Sequence, residues 1–428
     1  MSGRSALRVA LGAVALVAIV LIVVLTRHVE HPAAVPTATE RDKAQIARGA
    51  YLARAGDCVS CHTGRGSPPY SGGLALKTPF GTFYPPNITP DNETGLGQWS
   101  ADDFWTALHE GRSRNGDLLY PAFPYDSYTL VTREDADAIF AFLKSLPAVN
   151  APRRAHALEF PYNERQLLIG WRTLYFKPLE FKQDMSKNGE WNRGAYLVQG
   201  LGHCSGCHSE RNALGAIDPQ NPVSGGVLPT TNWYAPALTS NPETGLGSWS
   251  VDDIAALLKS GVSHRAAIYG PMAEVVVNSL QYLSDEDVRS IAVYLKTEGG
   301  TISGKQEDFM TESEITDLMQ LGAKIYDTRC KTCHGAEGAG QPPAYPPLAG
   351  NGSVVTRTAI NPIRLVLHGG FPPSTTDNPR PYGMPPFAYS LSEREMASVV
   401  TYIRRSWGNQ ASAVAPGDVE KARTLDPE

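Results

Sequence analysis

Six cysteines occur in this chain, all in pairs of one spacing, and a histidine follows each pair directly. The pairs are Cys58-Val-Ser-Cys61-His62, Cys204-Ser-Gly-Cys207-His208 and Cys330-Lys-Thr-Cys333-His334. Two intervening residues let both sulfurs reach one porphyrin edge and add across its vinyl groups, while the adjacent histidine lies beneath the iron as proximal ligand. Zinc sites and redox dithiols also use paired cysteines. With ten His in 428 residues, chance places histidine after a given pair about one time in forty, and three in a row on the order of once in 10⁵. No cysteine is left for another role, so the pattern predicts three covalently bound haem c groups.

A low-spin electron-transfer haem needs a second axial ligand, commonly a methionine sulfur on a loop well beyond the attachment motif. Met272, in Gly270-Pro-Met272, and Met384, in Gly383-Met384-Pro-Pro386, suit that role for the second and third haems. Met396 reads as a core residue, as do Met310 and Met319. The first haem breaks the pattern. Aligning the Gly-Leu-Gly-x-Trp-Ser segments puts Phe123 where Met272 stands, and no methionine lies between Met1 and Met185. His109 matches His368 of the third unit and reads as a helix-end residue, and His156 and Met185 are poorly placed. The sixth ligand of the first haem stays open.

The elements that position these residues repeat along the chain. Arg48-Gly-Ala-Tyr-Leu52, Arg193-Gly-Ala-Tyr-Leu197 and Leu321-Gly-Ala-Lys-Ile325 each lead into a motif as the end of an amphipathic helix. Ser100 and Ser250, each followed by x-Asp-Asp, are predicted helix N-caps. Apolar helices over 135–143, 287–295 and 395–403 close the three units. Strand alternation is scarce. The expected fold is mainly α: three tandem cytochrome c-like helical domains at 41–150, 188–298 and 316–408. An aromatic linker at 151–187 reads either as packing on a neighbouring domain or as a docking surface. A polar, mobile tail is expected over 409–428.

Composition and the N-terminus bound the setting. The formal net charge of -5 argues against a nucleic-acid partner. Val9 to Thr26 is an uncharged run of eighteen residues with Arg4 and Arg8 ahead of it. It is long enough for a membrane helix, and Pro32-Ala33-Ala34 makes a poor signal-cleavage site. A membrane anchor over 1–26 is expected, with the haem domains on the periplasmic side of the inner membrane.

These features resemble the three-haem cytochrome c subunit of bacterial membrane-bound dehydrogenases. The resemblance runs from about 41 to 408. It rests on the Arg-Gly-Ala-Tyr-Leu lead-ins, on Asn87 to Gly97, on Tyr269-Gly-Pro-Met272 and on Gly383-Met384-Pro385. It implies an electron-transfer subunit without a catalytic site of its own. Its partner would be a dehydrogenase catalytic subunit of molybdenum, quinone-cofactor (PQQ) or flavin type, and its acceptor membrane ubiquinone or a terminal oxidase. Phe123 departs from the quinoprotein alcohol dehydrogenase subunits and is more similar to cytochromes that accompany molybdenum hydroxylases. Two other functions fit the residues: a peroxidase-like or ligand-binding haem enzyme using an open first haem, and a stand-alone respiratory shuttle.

Overall fold

Closing helices carry the clearest sequence logic in the fold. Thr132, Ser284 and Ser392 cap helices Arg133–Ser145, Asp285–Leu295 and Glu393–Arg405, accepting from the backbone N–H of Asp135, Asp287 and Glu395. Each helix then buries residues at the i, i+3, i+4, i+7 spacing of one helical face. These are Ala136, Ile139, Phe140 and Leu143; Val288, Ile291, Ala292 and Leu295; and Met396, Val399, Val400 and Ile403. The computed structural model describes residues 40–242, 245–299 and 308–424. The anchor expected over 1–26 lies outside them, and among the described residues no helix is long and apolar enough to cross a membrane.

Each closing helix crosses a lead-in helix, Glu40–Ala55, Gly189–Tyr196 or Glu312–Ile325. The crossing point is a glycine every time. A Cβ on Gly49, Gly194 or Gly322 would stand 1.8, 2.0 or 2.2 Å from the carbonyl oxygen of Ala138, Ser290 or Ser398. Close backbone approach explains why the lead-ins share Gly-Ala even where their other residues differ. Short antiparallel strands fill the rest: Leu76–Thr78, Gly81–Phe83 and Ala157–Leu158 in one sheet, Gly226–Val227 with Tyr234–Ala235 in another. The architecture is mainly helical, as expected.

The first two repeats exchange contacts reciprocally. Tyr51 Oη donates to Asp287 Oδ2 at 2.6 Å, and Tyr196 Oη donates to Asp135 Oδ2 at 2.6 Å. The same hydroxyls accept from the N-cap amides of Ser284 and Thr132. Each aspartate is held within its own repeat by the arginine of its lead-in, Arg193 or Arg48. One continuous core spans both repeats, whereas the third has its own. Lys324 stands in the third repeat where tyrosine stands in the others. The third repeat docks instead through Asn361, whose amide pairs with the Tyr234 backbone in both directions at 2.9 and 2.7 Å. Pro373 also closes on Gly261, where a Cβ would sit 2.1 Å from its ring.

The linker over 151–187 packs its inner side on the first repeat, through the Tyr125–Phe176 ring contact at 4.7 Å and the Thr129–Leu179 hydrogen bonds. Its outer side leaves Phe160, Leu174 and Met185 exposed. The C-terminal segment corrects the expected mobile tail. Helix Pro416–Thr424 buries Val419 and Ala422, with Val414 just before it, in the third core. Arg423 donates to the carbonyls of Ala388 and Leu391. Three small apolar residues among polar ones were enough to dock it.

Candidate haem sites

Every attachment motif sits at the exit of a lead-in helix: Cys58–Cys61, Ser205–His208 and Lys331–His334 form single helical turns. The histidines share one arrangement. Nδ1 of His62, His208 and His334 faces the carbonyl oxygen of Pro86, Pro236 and Pro346 at 2.8, 2.7 and 3.2 Å. A carbonyl only accepts, so Nδ1 carries the proton and Nε2 keeps its lone pair for a metal. Such an outer partner fixes both the tautomer and the ring orientation of a ligating histidine. Burial pushes all three imidazoles below their ordinary pKa and outweighs the prolyl hydrogen bond, which raises it. The rings are thus neutral, the form that binds iron.

A second backbone contact recurs beside each histidine. Gly72, Gly225 and Gly340 donate N–H to the carbonyls of His62, His208 and His334 at 2.8, 2.8 and 2.9 Å. All three have positive φ, and a Cβ on any of them would meet a neighbour within 2.6 Å. Sequence reasoning missed these supports. The signal was a Tyr-x-Pro or Tyr-Pro at Tyr84, Tyr234 and Tyr345, visible once the repeats are superposed.

Burial raises the thiols of Cys58, Cys61 and Cys204 to about 12, and that of Cys330 to about 11. Thiols held this firmly in the neutral form are unlike the thiolates of a redox dithiol. Among the described residues no three His, Cys, Asp or Glu side chains gather as a metal site. The donor set, two thiols and one neutral imidazole on a single turn, fits a porphyrin attached by its edge and ligated from one face.

The residues expected as second ligands differ in their settings. Met384 pairs with Gly370 backbone to backbone at 2.8 and 3.0 Å, which pins its loop, and it packs against the third core. Met272 lies in the first turn of helix Pro271–Asn278 rather than in a loop, with Pro271 at the start of that helix. Phe123, which aligns with Met272 in sequence, lies just before helix Tyr125–Tyr128, its ring 5.3 Å from that of Tyr128. His109 donates from Nδ1 to the Thr129 carbonyl and stacks on Trp105 at 4.5 Å, as a helix-end residue does. His156 accepts the Tyr84 N–H on Nδ1, which leaves its proton on Nε2. Met185 is 90% exposed. Met396 is fully buried core, as expected.

The first and second sites face each other. Cys58 and Cys204 both pack against the core that the first two repeats share. Asn278 reaches from the second repeat to Ser60 at 3.0 Å, between the first pair of cysteines. Tyr128 donates to the Gly56 carbonyl and meets His203 edge-on at 5.4 Å.

Comparison with known proteins agrees with this geometry. The family model described as Cytochrome c matches residues 46–147 and 319–407. The chain is 39% identical to the cytochrome c subunit of a quinone-dependent alcohol dehydrogenase from Gluconobacter oxydans, over 90% of this chain and 84% of that one. It is 38% identical to the gluconate 2-dehydrogenase cytochrome c subunit of Pantoea cypripedii, over 90% of each. A nicotinate dehydrogenase subunit from Pseudomonas putida is 38% identical over 87% of this chain and 32% of its own length. The chain belongs to the family of dehydrogenase cytochrome c subunits, which transfer electrons and have no catalytic site of their own.

Proposed function

We propose that this chain binds three haem c groups, one per repeat, and passes electrons from a dehydrogenase catalytic subunit to membrane ubiquinone or a terminal oxidase. The observation that carries the reading is the same prolyl carbonyl behind each motif histidine. Cys58 and Cys61, Cys204 and Cys207, and Cys330 and Cys333 would form the thioethers. His62, His208 and His334 would ligate iron on one face, with Met272 and Met384 opposite in the second and third repeats. Haem supplies a one-electron carrier, and the chain sets spacing, ligation and burial. The partner is of molybdenum, quinone-cofactor or flavin type, and the relatives' names point to oxidation of an alcohol, a sugar acid or an N-heterocycle. An anchor over 1–26 would hold the domains on the periplasmic face of the inner membrane.

Haem counting tests the stoichiometry. The alkaline pyridine spectrum of full-length protein, set against its peptide concentration, should give three haems per chain. Two would remove one repeat from the account. Phe123 favours a second reading, in which an open first haem binds peroxide or a small ligand. Carbon monoxide binding by one reduced haem in three, with rapid peroxide turnover, would promote that reading over simple transfer.

A further inference from the structure

A cavity of about 190 Å³ lies where the third repeat meets the second. Trp233, Tyr269 and Gly270 form one wall, and Arg364, His368 and Gly370 form the other. Trp233 stands just before strand Tyr234–Ala235, which Pro236, the partner of His208, follows, and Gly270 stands two residues before Met272. The cavity therefore borders the second haem site on both of its faces. It borders the edge remote from the cysteines, because Cys204 packs on the core shared with the first repeat, whereas the cavity lies against the third. A c-type haem carries its thioether links on two adjacent pyrroles and its propionates on the other two. The propionate edge of the second haem must then point toward this cavity.

The groups there suit a carboxylate. Arg364 is 2% exposed, and its guanidinium carbon lies 5.1 Å from the centroid of the Trp233 ring. Trp233 Nε1 and His368 Nε2 are buried polar atoms without a hydrogen-bond partner among the described residues. None of the lining residues is acidic. The surroundings are positive: burial first, then Arg364 and Arg423, hold the His368 pKa below its ordinary value. An unused buried indole N–H is costly unless an acceptor completes it, and beside a cation an anionic acceptor is favoured.

We propose that Arg364 and Trp233 bind a propionate of the second haem across the seam, so that a residue of the third repeat tunes the potential of the second haem. The inference rests on the three-haem reading above. A cation near the iron disfavours the more positive ferric state, so Arg364 raises that potential. Gly369 and Gly370, which line the same cavity, flank the Met384 loop. Arg364 is thereby a positioning residue between two haems rather than a ligand of either.

Potentiometric titration of the full-length holoprotein tests this through the reduced-minus-oxidised spectra. Arg364→Gln should move one midpoint downward, changing that haem's oxidised-to-reduced ratio about tenfold at fixed ambient potential, or ~59 mV for one electron. Arg364→Lys should restore most of the shift. Trp233→Phe, which keeps the ring and removes the donor, should move the same component by less. Met272→His identifies the component, since it alters the second haem's ligation directly. If Met272→His moves no midpoint, the ligand assignment fails and the proposal with it. If it does, and Arg364→Gln and Trp233→Phe move none, or move the midpoint that Met384→His moves, only the proposal is wrong. A shift that depends on acetate in the buffer would assign the cavity to a free carboxylate and overturn it too.

Discussion

Cys204→Ser combined with Cys207→Ser should leave the chain with two haems and block electrons from crossing it. The second repeat holds both seams: the Tyr–Asp exchange and the Asn278–Ser60 contact toward the first, and the Asn361–Tyr234 pairing toward the third. Electron tunnelling falls steeply with distance, so removing the middle carrier separates the outer two by the width of a domain. In the intact complex, stopped-flow mixing with the dehydrogenase substrate should then reduce one remaining haem at the native rate and the other at least 100-fold more slowly, ~2.7 kcal/mol in barrier. Two haems reducing at native rates would place the second haem off the path. His208→Ala, which keeps the thioethers, should slow the same step without changing the haem count.

Gly194→Ala should cost the second repeat more than about 3 kcal/mol, the upper end of what an added methyl costs in a packed core. The new Cβ would lie 2.0 Å from the Ser290 carbonyl and 2.8 Å from the Tyr294 Cβ. Backbone on one side and a buried ring on the other leave no flexible side chain to move aside. The helices must separate, which also loosens Arg193 from Asp287 and Tyr51 from the same carboxylate. Gly170→Ala is the matched control, because it sits in helix Leu168–Tyr175 with nothing within 4 Å of its Cβ position. That change should be neutral or stabilise by ~0.5–1 kcal/mol. Denaturant midpoints and haem loading of the two variants would separate them. Equal loading and equal midpoints would refute the crossing-glycine argument.

Much of the molecule was legible because its signals are local. Cap and first-turn acid lie within three residues at Ser100 and Ser250, and both accept as expected from Asp103 and Asp253. The closing helices and the attachment motifs are likewise written in runs of a dozen residues or so. The missed features join distant positions. Tyr51 and Asp287 are 236 residues apart, and Tyr234 and Asn361 are 127 apart. Nothing near either residue marks it as half of a seam. The prolyl carbonyls escaped because the Tyr-x-Pro or Tyr-Pro that marks them shows only once the repeats are superposed. The terminal helix escaped because Val414, Val419 and Ala422 are too few to raise the local hydropathy. The departure at Phe123, in contrast, was visible from the repeats alone, and the structure adds that His156 takes the Tyr84 N–H on Nδ1 and that Met185 is exposed.

The central claim is that this chain receives electrons from a dehydrogenase. Purification of the native complex in mild detergent, with mass spectrometry and cofactor analysis of what accompanies the cytochrome, tests it most directly. A stoichiometric larger polypeptide that carries a molybdenum, quinone or flavin cofactor, and whose substrate reduces the haems, should accompany it. Isolation of the cytochrome alone, or with oxidase subunits only, would contradict it and leave a free respiratory carrier in its place.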